Sequence, residues 1–146
     1  MRVRIPILND GTDRYYCKLG LVTSLNQTTL GGGIVFTYDL SGTQTGSSAT
    51  SDWQTITASS NIRTYSQNSV NTTAVIANTW TKLQIVATSS VVYFYIDGTL
   101  VATHTSNLPT AQTLTPYFDI RKTAGTTART LEIDYTTIDI KYATPR

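Results

Sequence analysis

The two residues whose spacing most suggests chemistry are Glu132 and Asp134, in Glu132-Ile133-Asp134. In a strand, positions i and i+2 share a face, so both carboxyls project to the same side. Retaining glycoside hydrolysis uses two carboxyls about 5–5.5 Å apart, one as nucleophile and one as acid/base. Glu132 is, however, the only glutamate in the chain. The pair is therefore expected to be the polar outer face of a terminal strand. His104 is the only histidine, and no Gly-x-Ser-x-Gly elbow offers it a nucleophile. Flanked by Thr103 and Thr105, it is expected to be a solvated or capping residue at a strand end. Cys17 is the lone cysteine, which excludes an internal disulfide, and its apolar surroundings predict a buried structural thiol. One His and one Cys cannot build a zinc site. Asp10-Gly11-Thr12-Asp13 predicts a turn, since the further spaced oxygens of a calcium loop are missing. Gly31-Gly32-Gly33 precedes no Lys-Ser/Thr and no helix, so it is no phosphate loop. No catalytic residue, metal or cofactor is expected.

The elements that would position these groups are clearest between Trp80 and His104. Asp97-Gly98 is a strong hairpin signal, because a type I′ turn needs positive φ at both central positions. With two-residue loops at Ser89-Ser90 and Asp97-Gly98, three strands fall into one register. Leu83, Ile85 and Ala87 then share a face with Val92, Phe94, Ile96 and Val101. The opposite face carries Tyr93, Tyr95, Leu100 and Ala102, with Lys82 and Gln84 at the side. Such a face is either a sugar platform, on which aromatic rings stack against pyranoses, or is covered by a loop or a neighbouring subunit. Trp53 and Tyr65, in a less legible region, are expected to be exposed and are further candidate contact residues.

The remaining sequence agrees with an all-β chain. Charged residues are only 14%, Thr and Ser abound, and no window shows a 3.6-residue apolar period. Strands are predicted at Arg2–Leu8, Tyr15–Val22, Ile34–Leu40, Trp53–Thr57, Ile62–Tyr65, Thr72–Ile76, Leu114–Arg121 and Arg129–Tyr142, the last bent near Thr136-Thr137. Residues 41–52 form a long polar loop. The sequons at Asn26 and Asn71 are expected by chance at this Thr content. Ten to twelve short strands in 146 residues predict one domain, 1–146, an antiparallel two-sheet jelly-roll sandwich. A net charge of +2 with scattered basic residues excludes a nucleic-acid stripe. No signal peptide and no membrane-inserting run is expected.

A Trp opening a strand, followed by an aromatic strand ending in Tyr-x-Asp-Gly, resembles laminin G-like and concanavalin A-like sandwiches. The stretches YIDGTLVATHTSNLP and LTPYFDIRKTAGTTARTLEIDY look like a module of bacteriophage virion proteins, such as tail fibres, spikes and surface proteins. The likeness covers residues 80–146. Laminarinase-type hydrolases of the concanavalin A-like fold carry Glu-x-Asp followed by a second Glu. That second Glu would fall at Thr136 or Thr137, and neither is acidic.

The resemblance implies a non-enzymatic structural protein of a phage particle, located in the virion and acting in assembly and host-surface attachment. Its alternative is a lectin-like module that recognises host glycan. The implied partners are copies of itself, with a trimer favoured, other virion proteins and a host glycan, but no nucleic acid and no membrane. The first strand, Arg2–Leu8, is expected to be an edge that pairs with a neighbouring subunit.

Overall fold

The structure is a computed structural model that describes residues 1–25, 30–40, 51–67 and 74–141. Among the described residues it contains ten strands and no helix. In chain order these are β1 (Arg2–Arg4), β2 (Arg14–Val22), β3 (Gly33–Asp39), β4 (Gln54–Ser59) and β5 (Ile62–Gln67). There follow β6 (Trp80–Ala87), β7 (Val92–Ile96), β8 (Thr99–His104), β9 (Thr115–Ala124) and β10 (Glu132–Tyr135). They form two antiparallel five-stranded sheets, ordered β10-β1-β6-β7-β8 and β5-β4-β3-β2-β9.

Alternation along the strands explains how the sheets meet. Val3, Leu83, Phe94 and Ile96 of the first sheet pack against Tyr15, Cys17, Leu19, Ile34, Phe36 and Tyr38 of the second. The Phe36 and Phe94 rings meet edge to face, with centroids 5.2 Å apart across the layer. The second sheet is buried on its other face too. There Val22, Val35, Ile56, Ala58 and Tyr117 form a separate apolar cluster with Leu30, and Lys18, Thr37, Asp39 and Gln54 are equally enclosed.

The central meander has the expected loops. Thr88 N–H donates to the Val91 carbonyl across Ser89-Ser90, and Asp97 (φ 48°) and Gly98 (φ 85°) form the positive-φ turn. One detail differs. Tyr95 pairs with Leu100 but Phe94 pairs with Ala102, so β8 carries one extra residue, Val101, as a bulge. Val101 faces the core as expected, but the bulge rotates the rest of β8. Ala102 therefore packs against the core instead of joining the outer face, and His104 turns inward opposite Val92.

Three strands depart most from their expected bounds, and β4, β5 and β9 end two or three residues later than expected. β1 stops at Arg4, because Pro6 has no N–H to continue a ladder. It is also no edge: it lies between β10 and β6 of the same chain. The final strand ends at Tyr135, well short of residue 142. The strand expected at Thr72–Ile76 falls partly outside the described residues, and within them only Ala74 makes a bridge, to Asp52. Asn26, Asn71 and residues 41–50 of the polar loop also lie outside the described residues.

Candidate functional site

Glu132 and Asp134 do share a face, and each meets an arginine there. Arg4 on β1 donates through Nε to Glu132 Oε2 at 2.8 Å, with Nη2 on the same oxygen. Arg2 reaches Asp134 at 3.0 Å. The two guanidinium groups flank the Trp80 ring, 5.2 and 4.8 Å from its centroid. Both carboxylates are thus held as partners of fixed cations, a poor arrangement for a general acid, which must carry its own proton.

The outer face of the first sheet continues from this ladder across β6, β7 and β8. Tyr95 stands between Gln84 and Leu100, and Tyr93 between Val86 and Thr103. Both tyrosines are half-buried, while Leu100 is 49% and Val86 39% exposed. Tyr93, Tyr95 and Leu100 therefore come together as expected. Trp53 does not join them. It lies in the core, with its ring 6.4 Å from Phe36 and 6.3 Å from Tyr38, which corrects the expectation of exposure. Tyr65 lies on the outer side of the second sheet, cross-strand from Ile56 and partly buried against its apolar cluster.

His104 is the largest correction, because it is buried rather than solvated. Nδ1 lies 3.0 Å from the Thr57 hydroxyl, which itself donates to the Ser106 carbonyl. Thr57 must then accept the Nδ1 proton, leaving Nε2 as acceptor between Ser66 Oγ at 2.9 Å and Thr55 Oγ1 at 3.1 Å. This tautomer is assigned from the bonding pattern. Desolvation lowers the imidazole pKa, so the ring is neutral at pH 7. The Ser66–His104 distance suits a nucleophile and its base, yet a threonine hydroxyl stands where a triad has a carboxylate. The histidine instead joins β8 of one sheet to β4 and β5 of the other.

Two further titratable groups are enclosed. Burial pushes the Cys17 thiol well above its ordinary pKa, which leaves it unreactive. Lys18 is enclosed beside the Tyr16 ring and is pushed down to about 8, chiefly by desolvation. Among the described residues no group of three His, Cys, Asp or Glu side chains is placed to hold a metal ion. The Asp10–Asp13 turn exists, with Asp10 Oδ1 accepting from the Thr12 and Asp13 N–H groups. Asp13 itself pairs with Lys122 and Arg129, both at 3.2 Å.

At one end of the sandwich lies a cleft of about 470 Å³ that the sequence did not announce. Thr23 and Gly31 line it from the β2–β3 connection, Ser60 and Asn61 from the β4–β5 hairpin, and Gln112 and Thr113 from the segment before β9.

A family model described as SO2946-like, C-terminal domain, matches residues 4–134. The chain belongs to that family. The match begins in β1 and ends in β10, so it takes in both sheets of the SO2946-like domain. No curated protein and no solved structure matches the chain. Within the matched span lie the tyrosine face, His104, the Trp80 stack and the cleft. Of these, Trp80 was legible as an outer-face residue from the alternation Trp80, Lys82, Gln84, Val86. The cleft's only sequence signal was Ser60-Asn61, since Asn tolerates the positive φ of a hairpin turn.

Proposed function

We propose that this SO2946-like domain is a non-enzymatic structural protein of a bacteriophage particle, a concanavalin A-like jelly roll that acts in assembly and host-surface attachment. It works in the virion as a closed homo-oligomer, a trimer, in contact with other virion proteins. The observation that carries this is the outer face of β6–β8, where Val86, Tyr93, Tyr95 and Leu100 lie together and partly open. Contiguous apolar area of this kind marks contact surfaces. The ties of Glu132 and Asp134 to arginines and of His104 to hydroxyls support a binding rather than a catalytic role. The resemblance of residues 80–146 to phage fibre and surface modules supplies the particle.

A second reading is a carbohydrate-binding module that recognises host glycan, favoured by the two adjacent tyrosine rings and by the cleft lined with hydroxyls and amides. Light scattering on the pure chain, with mass spectrometry of purified particles, tests the first; a glycan array tests the second. A trimer recovered from particles is the expected result. A chain that stays monomeric at high concentration and is absent from particles overturns it.

A further inference from the structure

We infer that the cleft at Thr23, Gly31, Ser60, Asn61, Gln112 and Thr113 is a binding site for a neutral saccharide. The inference deepens the attachment role and rests on the carbohydrate-binding reading, but it moves the sugar from the tyrosine face to the loops.

The lining itself selects the ligand class. Its side chains are three hydroxyls and two carboxamides, and no ionisable group is among them. Such a surface offers both donors and acceptors and no net charge. It suits a polyol, whose hydroxyls also both donate and accept. An anion would find no cation there, and a purely apolar ligand would leave these amides and hydroxyls without partners. The hollow is wide open to solvent, and its volume of about 470 Å³ leaves room for a sugar ring to lie against its floor.

The walls are also fixed before any ligand arrives. Asn61 N–H donates to the Gly31 carbonyl at 2.8 Å, and Thr23 N–H to the Gly32 carbonyl at 3.0 Å. Arg63 Nε donates to the Leu30 carbonyl at 2.6 Å, next to Gly31 in the chain. Gly32 lets the walls close. A Cβ there would come 2.7 Å from Thr23 Oγ1 and 3.0 Å from Gln112 Oε1, so a larger residue would have to push these side chains aside. Ser60 (φ 51°), Asn61 (φ 67°) and Ala111 (φ 56°) all hold left-handed backbone at or beside the cleft. Ser60 and Asn61 take it as the two central residues of the β4–β5 hairpin turn, which fixes their backbone. Preorganised walls reduce the ordering cost of binding.

The test titrates isotope-labelled full chain with neutral hexoses, N-acetylhexosamines and their disaccharides, using sialylated and sulfated sugars as charged controls. Amide shifts confined to Thr23, Gly31, Ser60, Asn61, Gln112 and Thr113 are expected for neutral sugars only. Gln112→Ala and Asn61→Gly should each weaken binding about tenfold, the loss of one well-made hydrogen bond to the ligand. Asn61→Gly keeps the turn, since glycine accepts positive φ. Shifts centred on Tyr93 and Tyr95, a preference for charged sugars, or no response to any neutral sugar overturns the inference. A chain that binds none yet assembles into particles removes the cleft proposal alone; one that binds neutral sugar as a monomer outside particles removes the virion proposal alone.

Discussion

Arg4 and Glu132 face each other from neighbouring strands, and the guanidinium that neutralises the carboxylate also lies on the Trp80 ring, 4.8 Å from its centroid. Arg4 thus has two partners and Glu132 one. Truncating the arginine removes both the ion pair and the ring contact. Arg4→Ala is expected to cost about 1 kcal/mol, while Glu132→Gln costs about 0.5 kcal/mol or less, because the pair is partly exposed. Urea titrations measure both. If Glu132→Gln abolished release of reducing sugar from a β-glucan, the non-enzymatic proposal would fail.

His104 predicts acid sensitivity at mild pH. Its folded pKa lies below the ordinary 6.5, so the folded state resists a proton that the unfolded chain accepts. The stability tied to the neutral ring is full above pH 6.5 and falls as pH drops through the folded pKa. Denaturant melts between about pH 7.5 and 5 should show this slope, and His104→Gln should flatten it. Burial also lowers the Met1 amino group from its ordinary 8.0, which adds a slope of the same sign that remains in the variant. His104→Ala, which empties a buried site and takes the shared acceptor from the Thr55 and Ser66 hydroxyls, should cost about 3 kcal/mol at pH 7.

The corner at Asp13 predicts a second loss at lower pH. Bonds from Thr127, together with Lys122, hold its carboxyl down at about 2 against an ordinary 3.8. Its contribution is present above pH 3.8 and disappears as pH falls towards 2. Gly125 closes the same corner. It sits at φ +82°, and a Cβ would collide with the Asp13 carboxylate. Gly125→Ala should therefore destabilise by about 2 kcal/mol or more, seen as a lowered Tm. An unchanged Tm would mean that the corner tolerates a different backbone.

Tyr95→Arg separates a subunit contact from simple exposure. At an interface the charge should dissociate the oligomer and leave a folded monomer with a near-native Tm. Sedimentation of wild type and variant at matched concentrations reads this directly. Equal masses for the two would remove Tyr95 from the interface.

The meander was legible because period-2 alternation agreed over three strands joined by two short turns. Its one error was local. Leu100, Val101 and Ala102 are apolar in succession, so alternation could not reveal an extra residue there. That single bulge accounts for both misplaced side chains, Ala102 and His104. Trp53 was misplaced for another reason. Its neighbours are polar, yet Gln54, Thr55 and Thr57 are themselves buried, so a strand enclosed on both faces carried a surface-like sequence. The cleft was illegible because its residues come from three separate connections, and only tertiary packing brings them together.

The position of β1 makes one strand pairing of this fold strongly non-local. Arg4 and Glu132 are 128 residues apart in sequence, and β1 also pairs with β6. The β6–β8 hairpins can close early, since their loops are short. The β1–β10 pairing requires closure of nearly the whole chain, which places it among slow, non-local contacts. Of the described strands β1 is made first and β10 last, so one side of a three-residue strand stays unpaired until the rest of the domain has been made. A nascent or truncated chain without β10 therefore exposes a hydrogen-bonding edge that the finished domain covers, and such edges recruit foreign strands.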